Sequence, residues 1–187
     1  FKNYQFNHYI TFNNENKFNF FKGRRKLIMG YRYDCSKCEI RCDGKSLGVY
    51  NFKNDVEYSE HFENEIINKL CKRNCYAKKT EKDGYPDIEV YISKNGALKC
   101  YIEVKAQRRT FMSVEKILPN SDLIPSKTMA LNLSDLLRYF DIAKRETVPI
   151  YILWVLSNRP CAVDNDKVKY FYQRVDILER IYNKYRN

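Results

Sequence analysis

The stretch that decides the fold runs from Gly84 to Arg109, GYPDIEVYISKNGALKCYIEVKAQRR. Ile88, Val90 and Ile92 alternate with Asp87, Glu89 and Tyr91, the two-residue period of a half-buried strand. Lys94-Asn95-Gly96 follows, and Asn-Gly is the strongest short-range hairpin signal. On the return strand Cys100, Ile102 and Val104 share one face, while Tyr101, Glu103, Lys105 and Gln107 share the other. A hairpin of this kind gathers Asp87, Glu103 and Lys105 on one side of a small sheet.

That gathering has a chemical consequence. Two carboxylates about 4 Å apart repel by roughly 1 kcal/mol in water and about 4 kcal/mol at an effective dielectric of 20. A lysine offsets part of this and a divalent cation offsets more. Oxygen ligands on a semi-rigid sheet suit Mg²⁺ or Mn²⁺, which keep several waters and take further oxygens from a phosphate. An ion there acidifies a water and polarises a phosphodiester. Lys105, two residues from Glu103, is placed to orient the water or to neutralise charge on the phosphate.

Pro86-Asp87 followed by Glu103-Val104-Lys105 resembles the signature of the PD-(D/E)xK nuclease superfamily, which includes restriction endonucleases, archaeal Holliday-junction resolvases and repair and defence nucleases. The resemblance implies Asp87 and Glu103 as metal ligands and Lys105 as the catalytic lysine. Gln107 stands where several members carry a polar residue. The family's first helix often lends an acid to the metal, and Glu63, about two turns before Leu70, is the choice here. Glu60 and Glu65 are the alternatives, and an ordinary solvated helix carboxylate fits each of the three equally well. His61 is a further alternative ligand, as in cap-snatching viral endonucleases.

The surrounding elements carry the resemblance beyond the motif. Asp55 to Arg73 reads as a helix with Phe62, Ile66, Ile67 and Leu70 as its apolar stripe. Cys75 to Thr80 is a short strand that precedes the hairpin. Asn132 to Arg145 is a second helix, capped by Asn132 or Ser134, with Leu133, Leu136, Leu137, Phe140 and Ala143 at helical spacing. Val148 to Leu156, VPIYILWVL, reads as a strand buried on both faces. The expected class is therefore α/β: a restriction-endonuclease-like αβββαβ core, its central mixed sheet flanked by helices. Residues 55–187 form this nuclease-like domain, and residues 1–54 a small β-rich extension.

The whole chain sets the limits. Its 187 residues hold one sizeable core and a small appendage. A net charge of +11, from 34 basic and 23 acidic residues, favours a polyanionic partner. An AT-rich coding sequence would also enrich Lys, Asn, Tyr and Ile without any binding role. No apolar run is long enough to span a bilayer, so no membrane partner is expected. Phe1 to Phe21 is polar and aromatic rather than signal-like, and an intracellular, cytoplasmic setting is expected. Because residue 1 is not Met, the chain reads as a fragment or as lacking its start.

The extension carries two further candidate sites. Arg24, Arg25 and Lys26 form a basic group among aromatics, suited to phosphate contact and base stacking. The same aromatics equally suit the core of a small β element, with short strands at Tyr4–Phe12 and Lys26–Tyr33. Cys35 and Cys38 form a C-x-x-C knuckle, and Cys71 and Cys75 a C-x-x-x-C pair. Four such thiolates suit a structural Zn²⁺ tying the extension to the core. An iron–sulfur cluster or plain reduced cysteines are the alternatives. Seven cysteines, an odd number, argue against a secreted disulfide framework.

Beyond the hairpin, Arg108 and Arg109 open a segment to Leu131 that contains Pro119 and Pro125 and reads as a loop. It is placed either to grip DNA or to serve as a plain crossover. The chain ends in a helix with Val175, Leu178, Ile181 and Tyr182 as its packing face, against the core or a second subunit. The expected function is a Mg²⁺-dependent DNA endonuclease of restriction or defence type, acting as a homodimer or within a larger defence or repair complex. A Holliday-junction resolvase or repair nuclease is the first alternative. A non-cutting nucleic-acid-binding module or a zinc-bound interaction module is the second.

Overall fold

A computed structural model describes residues 8–12, 18–19, 52–107, 128–157 and 168–185. It begins with strands β1 (His8–Phe12) and β2 (Phe18–Asn19), followed by helix α1 (Phe52–Cys71). Strands β3 (Tyr76–Lys79), β4 (Ile88–Tyr91), β5 (Leu98–Ala106) and β6 (Thr128–Leu131) come next. Helix α2 (Leu133–Arg145), strands β7 (Ile150–Leu156) and β8 (Lys169–Arg174) and helix α3 (Val175–Tyr185) complete the order.

Five strands form the central mixed sheet in the order β3-β4-β5-β7-β8. Only β5 and β7 are parallel; the other neighbours are antiparallel. A parallel pair needs a crossover, and β6 with α2 supplies it. The expected α-β-β-β-α-β succession is present, with β6 interposed before α2. Residues 108–131 are thus not loop to their end. Thr128, Met129 and Leu131 are buried, so the last four residues of that segment pack as a strand. β6 pairs antiparallel with β1 from His8↔Leu131 to Thr11↔Thr128, and β1 pairs with β2. The extension therefore shares a second, three-stranded sheet with the crossover.

Each face of the central sheet carries its own apolar layer. On one face Phe62 and Ile66 of α1 pack over Ala77, Ile88, Val90, Cys100 and Val104. Ile67 and Leu70, from the same predicted stripe, pack at the margin of that layer. On the other face Leu136, Tyr139, Phe140 and Ile142 of α2 meet Val175 and Leu178 of α3 over Tyr101, Ile150, Ile152 and Trp154. β7 lies inside the sheet: Ile150, Ile152 and Trp154 are buried on one face, while on the other Val155 is buried and Tyr151 and Leu153 are half-buried, in keeping with its continuous apolar run.

The hairpin differs from expectation at its tip. β4 stops at Tyr91 and the register slips between Val90 and Tyr91. Ile92 is therefore 61% exposed rather than aligned with Ile88 and Val90. The turn closes through the Ile92 amide to the Ala97 carbonyl and the Gly96 amide to the Ser93 carbonyl. A Cβ on Gly96 would come within 2.7 Å of Ser93 Oγ and 2.9 Å of its nitrogen, so close approach requires glycine here. β8 was not resolved as a strand in the sequence, since KYFYQR interleaves basic, aromatic and amide side chains.

Candidate active site

The side chains of β5 alternate, so Glu103 and Lys105 point toward α2 while Val104 points toward α1. Asp87 immediately precedes β4, and the Ile88↔Ile102 register places it opposite Glu103. The Val104 amide donates to Asp87 Oδ2 at 2.8 Å, anchoring the aspartate across the hairpin. Lys105 Nζ lies 2.6 Å from Glu103 Oε1 and 3.2 Å from Asp135 Oδ2. Asp87, Glu103 and Lys105 thus meet where β4 begins and β5 nears its end, beside the first turn of α2.

Electrostatics single out Asp87. Burial, then Glu103 and more weakly Glu63, push its carboxyl up to about 7, against the pull of the Val104 amide and Lys105. Burial alone would lower Lys105, but Glu103 and Asp135 outweigh it and hold the amine above its ordinary value. Lys105 is therefore an ammonium at neutral pH. Glu103 is 4% exposed; Lys105 and the Tyr139 hydroxyl bond its carboxylate, yet its Oε2 lacks a partner of good hydrogen-bond geometry among the described residues. A buried carboxylate oxygen without a donor is costly unless a cation completes it.

That orphaned oxygen is the observation against which a metal can be tested. Asp87 and Glu103 offer hard oxygen donors of the kind Mg²⁺ or Mn²⁺ takes, and the orphan fits such an ion. Among the described residues no three acidic, His or Cys side chains are grouped tightly enough to surround one ion. Further ligands would thus come from backbone, water or phosphate, as Mg²⁺ sites commonly use.

The remaining predicted residues fall in different places. Glu63 on α1 is near enough to raise Asp87, but its Oε2 pairs with Lys79 at 3.1 Å and Ser59 donates to its Oε1 at 3.3 Å. Glu65 bonds Lys69 and accepts from Tyr170 on β8, tying α1 to the sheet edge. Glu60 is exposed, and His61, 71% exposed, lies 3.9 Å from Glu65. Gln107 accepts from the Ala130 amide at 3.1 Å, so it links β5 to β6. Cys71 is exposed and Cys75 half-buried, both as free thiols. Cys35, Cys38, Arg24, Arg25, Lys26, Arg108 and Arg109 lie outside the described residues.

Three neighbours escaped the sequence reading: Asp135, Arg138 and Tyr139. Arg138 Nη2 lies 3.2 Å from Asp135 Oδ1 and donates to the Tyr139 hydroxyl at 3.0 Å. Burial and the facing Glu103 hold that hydroxyl well above its ordinary value, so it stays protonated. Their i, i+3, i+4 spacing on α2 was the available signal. It was obscured because Asp in a first helical turn is ordinary.

No protein-family model matches the chain, and no curated protein matches it. Among solved structures the chain is similar to Hjc, a Holliday junction resolvase from the archaeal hyperthermophile Archaeoglobus fulgidus. The TM-score is 0.40 at 14% identity, over 64% of this chain and 74% of that one. A likeness this loose leaves the reading to the geometry of the site itself.

Proposed function

We propose that the chain is a metal-dependent phosphodiesterase that cuts DNA. The observation that carries this reading is the buried Asp87–Glu103 pair, with a Glu103 oxygen lacking a donor, beside a charged Lys105. Asp87 and Glu103 would hold a Mg²⁺ or Mn²⁺ ion, its remaining ligands coming from backbone, water or phosphate, while Glu63, paired with Lys79, adds negative charge nearby without joining the group. Such an ion, when bound, acidifies a water and polarises the phosphodiester. Lys105 carries its proton already and cannot take another, so its part is to donate to the phosphoryl oxygens or to hold the water. Gln107 assists by keeping β6 at the rim of the site. The basic surplus and the groups at Arg24–Lys26 and Arg108–Arg109 supply phosphate contacts along the duplex.

A restriction or defence setting fits an endonuclease of this design, and junction resolution or repair fits the same chemistry on a branched substrate. Cutting both strands of a duplex calls for two such sites, hence a homodimer. A structural Zn²⁺ on Cys35, Cys38, Cys71 and Cys75 remains part of the proposal. The test is cleavage and DNA retention by Asp87→Ala and Glu103→Gln in Mg²⁺. Both variants should bind DNA as the parent does and lose at least about 10²-fold in cleavage rate, the scale for removing a preorganised charged group. Full cleavage by either variant sinks the mechanism.

A further inference from the structure

The Lys105 ammonium has two acceptors on different elements. Glu103 Oε1 is on its own strand, and Asp135 Oδ2 is in the first turn of α2. Asp135 is in turn braced by Arg138, and Arg138 donates to Tyr139, whose hydroxyl faces Glu103. Five side chains thus run in a circuit from β5 to α2 and back. The proposed reaction, built on Asp87, Glu103 and Lys105, makes no use of Asp135.

The two acceptors respond differently to a cation. An ion on the Asp87–Glu103 pair competes for Glu103 and repels the ammonium beside it. Asp135 belongs to the neighbouring helix and keeps its charge for the lysine. With Asp135 neutralised, the flexible four-carbon stem of Lys105 lets the strongly hydrated ammonium swing toward solvent. We propose that Asp135 is a positioning residue that retains the Lys105 ammonium at the site while a divalent cation occupies Glu103. This rests on the reading of Asp87 and Glu103 as the cation-binding pair.

The test compares wild type, Asp135→Asn and Asp135→Glu in Mg²⁺. One readout is acylation of Lys105 by an N-hydroxysuccinimide ester, followed by peptide mass spectrometry. Lys53, 81% exposed, serves as the internal reference. Lys105 should label roughly tenfold faster in Asp135→Asn, the factor one charge-assisted hydrogen bond supplies, and slowly again in Asp135→Glu. Equal labelling in wild type and Asp135→Asn overturns the proposal. The second readout is DNA cleavage. Asp135→Asn should lose about 10²-fold in kcat with KM unchanged, as a misplaced catalytic group does, and Asp135→Glu should recover most of it. An unchanged kcat in Asp135→Asn likewise overturns it. Should wild type cut no DNA, the nuclease reading fails, and the labelling comparison still decides the role of Asp135.

Discussion

The Asp87 carboxyl accepts a hydrogen bond from the Val104 amide, and burial beside Glu103 and Glu63 outweighs the weaker pull of Lys105. Its rise from 3.8 to about 7 corresponds to at most about 4 kcal/mol. The sign follows from proton uptake: between the two values the folded chain holds a proton that the unfolded chain releases. Stability therefore falls as pH rises from about 4 to about 7, and the loss is complete above that. Asparagine keeps the acceptor for Val104 and carries no charge. Asp87→Asn, melted in chelator, should match wild type near pH 4 and exceed it increasingly up to about pH 7. A constant difference across that range would show that Asp87 is not held neutral. Divalent cation should raise the wild-type melting temperature above pH 7, where the carboxyl is charged and ready to bind.

At the scale of elements, the hairpin and its neighbours decide which residues meet. The alternation in 88–104 made it legible that Asp87, Glu103 and Lys105 gather on one side of the hairpin, but not their register: a two-residue Asn-Gly turn would set Ile88 opposite Glu103, and the longer turn with the slip between Val90 and Tyr91 sets it opposite Ile102. The contribution of α2 was not legible. Leu136 and Phe140 mark its buried stripe, yet which polar residues of that helix reach β5 depends on how the crossover seats it. β6 was hidden for a related reason: TMAL is short, and its burial comes from neighbours distant in sequence. The layer beneath the site should be sensitive to truncation. Ile152 is fully buried and pairs with Glu103 on the parallel strand. Ile152→Ala should cost about 2–5 kcal/mol in denaturant unfolding, since a cavity adds to the lost burial. A loss under about 1 kcal/mol would mean that this layer is loosely packed.

Taken together, the described residues form a mixed sheet with a helical layer on each face and a buried acidic cluster at one end of its middle strands, in a molecule of net charge +11. That combination suits a polyanion drawn in by the positive charge and met by the cation that the proposed Asp87–Glu103 site would hold. Charge and fold class were readable from composition and periodicity. The circuit through Asp135, Arg138 and Tyr139 was not, because it joins residues about thirty positions apart through packing alone. The most direct measurement is cleavage of supercoiled plasmid, linear duplex and a four-way junction by wild type and Lys105→Ala, in Mg²⁺, in Mn²⁺ and in chelator. Wild type should cut with either ion and not in chelator, Lys105→Ala should not cut, and the preferred substrate separates restriction from resolution. Cutting that persists in chelator, or in Lys105→Ala at the wild-type rate, would contradict this mechanism.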